Sequence, residues 1–459
     1  MAEILEWIYG AVWGVPALIM IVGVGICICV KTNFCQITMF PDALRNFCKS
    51  LHKTAQDGEV SGYRALCTAL AATVGTGNVA GVAGAICLGG PGAVFWMWVC
   101  GVLGMGIKYA EATLAVFHRR KNKDGEWCGG PMYMICNGLS KKWMPLAYLY
   151  CLFGVTASFG IGNATQINAV ISSMSMALAG IGHPVNDAWK IGIGIIMAVV
   201  IFTMLRGGAK MIGAAAQQLV PAASVVYIFM CLWVIGVNIT SVDDAISAII
   251  RGAFNPQAVT GGAIGSIVGA MRIGVSRGIF TNEAGMGTAS IAHAAAEVDQ
   301  PAEQGLMGIM EVFLDTIVIC TMTALVLLTS GISIPYGLDP GAQLTSEAFY
   351  TVFGNFGSFL LFGTLCCFAF ATILGWGLYG VRCAEFLFGH KAVALFPVIQ
   401  GFVVFIAVFC DTRMVWMICD ILNGLMTIPN LIALILLMPE LVRLTDDYKI
   451  RKYKKQGSR

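Results

Sequence analysis

The chain has 459 residues, of which 58% are hydrophobic and only 12% charged, with a mean hydropathy of +0.79. A soluble domain carries about 25% charged residues, so this composition excludes one and points to an all-α polytopic membrane protein. A formal net charge of +3 is too small to imply a nucleic-acid partner, and the 17 cysteines, scattered through apolar segments without a Cys-x-x-Cys pair or a Cys/His cluster, imply neither disulfides nor a metal site.

About twenty apolar residues cross a bilayer. Eleven such spans are predicted, near 8–30, 65–88, 91–117, 143–177, 190–205, 211–239, 258–295, 305–330, 346–386, 392–410 and 414–438. Several are far longer than twenty residues, so tilts, kinks or turns are expected in them. Glu3 and Glu6 precede the first span where a cleavable signal would carry a basic segment, so no signal is expected. Of the 28 Lys and Arg residues, all but Lys108, Lys190, Arg251, Arg272, Arg277 and Arg413 fall in alternate loops and the tail from Arg443. By the positive-inside rule those loops are cytoplasmic, which puts the N-terminus outside and the C-terminus in the cytoplasm of a plasma-membrane protein. The basic tail 449–455 suits an orientation signal and offers charge to anionic lipid.

The second span is interrupted at its middle by Thr73-Val74-Gly75-Thr76-Gly77-Asn78, in a stretch without any Lys, Arg, Asp or Glu between Arg64 and Lys108. Helical backbone in lipid must be bonded within its own segment. Two glycines flanked by Thr and Asn weaken that ladder, and unwound backbone survives there only where it lines a cavity or is buried in protein. Broken helices of this kind build solute and ion sites in secondary transporters. Gly75-Thr-Gly-Asn-Val-Ala80 also fits the nucleotide fingerprint GxGxxG/A, but its flanks are apolar spans and no acidic residue follows before Glu111, so that reading fails. A small-residue packing face through Gly77 and Gly81 is the plainer alternative.

The fourth span clusters Ser158, Asn163, Thr165, Gln166 and Asn168, able to bond a substrate headgroup or another helix. Asn163-Ala-Thr165 and Asn238-Ile-Thr240 fit the glycosylation pattern but sit in or beside spans. The seventh span repeats the interruption, with the break expected in the Gly-rich stretch 264–278. Arg277 and Glu283 follow. They are costly in lipid unless paired, with each other or with Lys108 or Glu111, and a structural or gating role on the cytoplasmic side, rather than substrate contact, is expected. Asp315 lies about ten residues into the eighth span and is a candidate for ion binding, proton carriage or holding a helix break. In the ninth span Trp376 is placed to cap a side-chain pocket, and Thr372, one turn earlier, to bind an ion.

With the first span set aside, the remaining ten divide into two runs of five, each opening with an interrupted span. Five is odd, so the halves enter the membrane from opposite sides, which is the arithmetic of an inverted repeat. The expected units are 1–61 (extra N-terminal helix and loop), 62–240 and 241–440 (the two repeats) and 441–459 (the tail). A break presents N–H ends to a carboxylate and C=O ends to a cation, which suits a zwitterionic amino acid and a monovalent ion. A channel or non-transporting sensor on the same scaffold is the second reading, and proton coupling to another small solute a third. Five dispersed His residues and no nucleophile–base pair give an enzyme no support.

Six segments together resemble the alanine/glycine:cation symporter family: Gly75-Thr-Gly-Asn-Val-Ala-Gly-Val-Ala83, Gly89-Gly-Pro-Gly-Ala-Val-Phe-Trp-Met97, Phe159-Gly-Ile-Gly-Asn163, Arg277-Gly-Ile-Phe-Thr-Asn-Glu-Ala-Gly-Met-Gly287, Glu311-Val-Phe-Leu-Asp-Thr316 and Leu374-Gly-Trp376. The resemblance covers nearly the whole chain. It implies a leucine-transporter-like five-plus-five fold and uptake of alanine, glycine or a similarly small amino acid, driven usually by sodium, with no cofactor and no obligate protein partner. By the same resemblance, Thr76, Gly77 and Asn78 meet the substrate carboxylate, and the backbone at Ile273 and Gly274 meets its ammonium. Gln166 orients the headgroup and Trp376 closes the side-chain end. Thr73 and Asn78 help bind one ion, and the Val74 carbonyl with Thr372 a second. Gly377 departs from the bulkier or hydroxyl residue the family pattern suggests there, which bears on pocket size.

Overall fold

The computed structural model describes residues 2–51, 60–179, 182, 186–409 and 412–457. Their architecture is helical throughout, apart from a two-stranded antiparallel hairpin pairing Arg120 with Cys128 and Lys121 with Trp127. Among the described residues, eight helices are long and apolar enough to cross a membrane. A ninth crossing is the pair Gly62–Thr73 and Gly77–Gly89, bent by 51° at the first expected break. Among the described residues, length and composition alone therefore support up to nine crossings, and the expected count of eleven is not confirmed. The other two expected spans fall on Lys391–Ala407, a 17-residue apolar helix, and on Ile267–Asn282 with Thr288–His293, separated by 283–287.

Helices five spans apart pack against each other. Gly92–Phe117 lies on Pro301–Val312, Met144–Phe159 and Thr165–Ala179 lie on Asn355–Phe388, and Asp187–Arg206 lies on Lys391–Ala407. The broken pair meets Ile267–Asn282 in the same way. Four of the five spans in the first run thus face their counterparts in the second, as expected of an inverted repeat, while Gly208–Val237 packs instead on Asn355–Phe388 and Gly62–Thr73.

The extra helix Ile4–Lys31 packs on Gly92–Phe117 and on the helix Thr412–Leu436, where the Trp13 indole donates to the Asp420 carbonyl at 2.7 Å. The tail forms a helix, Met438–Gly457, that folds back under the protein: Tyr109 donates to Thr445 at 3.0 Å and Lys452 pairs with Asp42 at 2.5 Å. Lys449 reaches the Thr32 carbonyl at 3.4 Å. Two of the tail's cations are therefore engaged within the protein.

Candidate functional site

The first break falls at Val74 and Gly75. Val74 is extended (φ −76°, ψ 101°), and the chain re-enters a helix at Thr76 through a wide turn over Gly77–Gly81. A Cβ on Gly75 would lie 2.7 Å from Thr372 Oγ1 and 3.6 Å from Gln166 Oε1, so only glycine lets three elements converge here. The freed Gly75 N–H donates to Asn78 Oδ1 at 2.8 Å, and Asn78 Nδ2 donates to Asp315 Oδ1 at 2.7 Å. Thr73 is turned back on its own helix, donating to the Ala69 carbonyl at 3.3 Å. Thr76 Oγ1, Gln166 Oε1 and Thr372 Oγ1 are buried without a hydrogen-bond partner, on residues no more than 2% exposed. Buried polar atoms are rarely left so. Two of these oxygens border Gly75 and the third is on the next residue, a cluster of uncharged oxygens at unwound backbone. Of the expected site, Val74, Thr76, Gln166 and Thr372 are thus brought together. Gly77 is spent on packing, because a Cβ there would lie 3.2 Å from the Phe280 ring.

The second break is not in 264–278. Ile267–Asn282 is an unbroken helix, and the interruption comes at 283–287, where Glu283 (φ 55°), Gly285 (φ 95°) and Gly287 (φ 75°) are left-handed. The glycines before it make a close-packing face rather than a weak ladder: a Cβ on Gly274 would lie 2.4 Å from the Ala93 carbonyl oxygen. Gly274 is therefore held inside a helix against a neighbour, and Ile273 packs on Gly89. The structure does not bring these two to the break where an ammonium was expected. Gly377 likewise faces Leu205 of the neighbouring helix and does not set a pocket's size (Cβ to Leu205 Cδ2, 2.5 Å).

Side chains fasten the second break. Glu283 Oε1 accepts from the Trp376 indole N–H at 2.8 Å and Oε2 from Thr288 Oγ1 at 2.5 Å. Trp376 is fully buried and is thus the tether of an unwound segment. Glu111, which sequence reasoning raised only as a possible pairing partner, accepts on Oε1 from the N–H groups of Gly285 (2.9 Å) and Gly287 (3.1 Å) and from Asn430 Nδ2 (2.7 Å). The two breaks are joined through Asp315. Thr316 Oγ1 donates to Asp315 Oδ2 at 2.8 Å, Asn282 Nδ2 donates to Thr316 Oγ1 at 3.1 Å, and Asn282 Oδ1 takes the Ala284 N–H at 2.9 Å. Asp315, Thr316 and Cys320 lie in another wide turn, Phe313–Cys320, which signals local departure from the regular helix at a functional position.

Charged residues frame the site. Lys108 pairs with Glu311 at 3.3 Å in full burial, and Glu311 also meets His293 Nε2 at 2.8 Å. Gln304 Nε2 donates to His293 Nδ1 at 2.7 Å and to the Gly62 carbonyl at 3.3 Å. Arg277 pairs with Asp339 (3.4 Å) and Asp420 (3.8 Å), not with Lys108, Glu111 or Glu283. Asp339 adjoins Gly84 in the far half of the broken pair, so Arg277 lies at the end of the bundle opposite the hairpin. That hairpin carries the other ion-pair cluster, Arg382 with Glu126 and, at 2.9 Å, Glu385. Arg277 and Arg382 thus lie in ion-pair clusters at opposite ends of the bundle.

This geometry can be set beside known proteins. The model of the sodium:alanine symporter family matches residues 1–459. An uncharacterized transporter of Haemophilus influenzae is 43% identical over 97% of this chain and 96% of its own length. The sodium/alanine symporter AgcS of Methanococcus maripaludis is 41% identical over 96% of both chains. Among solved structures, MhsT in complex with L-phenylalanine superposes with a TM-score of 0.59 at 12% identity, covering 85% of this chain and 99% of that one, a likeness of fold. The chain belongs to the sodium:alanine symporter family and has the leucine-transporter-like fold of a secondary transporter.

Proposed function

We propose that this family member imports alanine, glycine or a similarly small amino acid by sodium-coupled alternating access, with the N-terminus outside the plasma membrane and the C-terminus in the cytoplasm. The observation that carries the reading is the convergence of Thr76, Gln166 and Thr372 on Gly75, which leaves three buried neutral oxygens unbonded at unwound backbone. Neutral oxygens suit a dehydrated monovalent cation; a divalent metal would call for carboxylates. Thr372 and the Val74 carbonyl are the proposed ligands of one sodium ion. Thr73 and Asn78 serve a second ion after exchanging their present bonds. The substrate carboxylate is assigned to the N–H groups of the first break at Thr76–Asn78, with Gln166 alongside. Those of the second break are already taken by Glu111. The ammonium is assigned to the last carbonyls of Ile267–Asn282, which a helix end leaves without intrahelical partners, in place of Ile273 and Gly274. Trp376 bounds the side-chain end while tethering Glu283. The broken-helix bundle, drawn from both repeats 62–240 and 241–440, rocks about this centre, with Arg277 and Arg382 at opposite ends.

Coupling requires sodium and substrate to tighten each other's binding. The relatedness to the sodium/alanine symporter AgcS supports the ion and substrate class. The test is uptake of radiolabelled alanine into proteoliposomes under an inward sodium gradient, against equal potassium or choline. Sodium-dependent accumulation above the external concentration is expected. Accumulation driven equally well without sodium would overturn sodium coupling, and equilibration without accumulation would favour a channel.

A further inference from the structure

We propose that Glu111 binds a proton on its Oε2 atom, making the buried chamber behind the second break a proton site. The chamber is built from six elements. Glu111 and Lys108 come from Gly92–Phe117, Glu283 from the second break, Glu311 from Pro301–Val312, Tyr150 from Met144–Phe159, Tyr379 from Asn355–Phe388 and Asn430 from Thr412–Leu436. Every one of these side chains is no more than 2% exposed. Glu111 is within electrostatic reach of Lys108 and Glu311, and the hydroxyls of Tyr150 and Tyr379 are within reach of both Glu111 and Glu283. His293 stands behind Glu311, its Nε2 2.8 Å from Glu311 Oε2.

Charge and hydrogen bonding together select the atom. Lys108 neutralises Glu311, so Glu111 and Glu283 would leave two bare negative charges inside the membrane, an expensive arrangement. Glu283 has a donor on each oxygen, as an ionised carboxylate prefers. Glu111 instead crowds three donors onto Oε1 and leaves Oε2 buried with no partner. The hydroxyls of Tyr150 and Tyr379 are also buried and unbonded, and either can serve, through a water, as acceptor for a proton on Oε2. A metal cation fits less well, because the Lys108 ammonium already sits among the carboxylates. The proton is taken from and returned to solvent as the O–H bond forms and breaks, with no other bond changed. The same carboxyl group thus clamps the second break through Oε1 while holding the proton through Oε2. The proposal stands whichever ion drives uptake.

The test is infrared spectroscopy of the intact protein in liposomes at neutral pH, before and after exchange into deuterium oxide. Wild type is expected to show a carboxylic-acid C=O stretching band that shifts down on deuteration, is lost in Glu111→Gln and persists in Glu283→Gln. A wild type without such a band, or a band that survives in Glu111→Gln and vanishes in Glu283→Gln, would overturn the proposal. Should Glu111→Gln fail to fold, the double variant Tyr150→Phe, Tyr379→Phe keeps the carboxyl group in place and removes both candidate acceptors. A shifted band then supports the assignment, and an unmoved one refutes it.

Discussion

Thr372 was expected to bind an ion from its place one turn before Trp376, and unlike Thr364 in the same helix, which donates to the Leu360 carbonyl, its Oγ1 is left unbonded at Gly75, which supports the proposed ligand role. Replacing Thr372 by Ala removes one neutral ligand and is expected to raise the sodium concentration for half-maximal uptake about tenfold, equivalent to ~1.4 kcal/mol. Alanine affinity measured at fixed sodium should fall with it, since coupling is reciprocal. A sodium titration of uptake that superposes on wild type would remove Thr372 from the site. Gly75 sits at the same point for a steric reason. Gly75→Ala drives a methyl group toward Thr372 Oγ1, so sodium-dependent uptake should vanish, while the double variant Gly75→Ala, Thr372→Ala should regain thermal stability without regaining uptake. Ile273 and Gly274 were misplaced at this scale. Their identities carry no mark that separates a glycine needed for unwinding from one needed for contact, and the Ala93 carbonyl that decides the matter is 181 residues away in sequence.

At the scale of elements, the first break was readable because uncharged polar residues interrupt an otherwise apolar run. The second was placed too early. Glycines at 269, 274 and 278 recur every four or five residues, a spacing that keeps them near one face of a continuous helix. The better signal was the acidic residue followed by alternate glycines, Glu283-Ala-Gly285-Met-Gly287, where left-handed backbone is cheap for glycine and Glu283 is held by Trp376 and Thr288. What no local pattern contains is the link between the breaks, running from Gly75 through Asn78, Asp315, Thr316 and Asn282 to Ala284. Asn78→Ala strips both the Gly75 N–H and the Asp315 carboxylate of partners, and should cost about 3 kcal/mol, since each unpaired buried group forfeits roughly 1–3 kcal/mol. The check is a double-mutant cycle with Asp315→Asn, read by thermal unfolding in detergent. The two losses should be strongly less than additive; additivity would mean that the breaks are held independently.

Across the whole molecule, composition identified the class, and the five-span offset anticipated the packing of four spans on their counterparts. The span count was less secure. Hydropathy windows cannot separate a crossing from a helix broken by 283–287 or from one of only 17 residues such as Lys391–Ala407. Orientation rests on charge alone, and the structure adds a way to test it. Asp339 and Arg277 lie at one end of the bundle, and the hairpin with Arg382 lies at the other. The Lys and Arg bias assigns the hairpin end to the cytoplasm. Single cysteines at the exposed positions Ser333 and Lys123, in a background lacking the exposed Cys27 and Cys48, separate the two ends. A membrane-impermeant maleimide should label Ser333→Cys in intact cells, and Lys123→Cys only after permeabilisation. The reverse pattern would invert the transporter. Sodium entering from outside would then first meet the Arg382–Glu126 cluster, and Arg277, with its two aspartates, would become the inner closure.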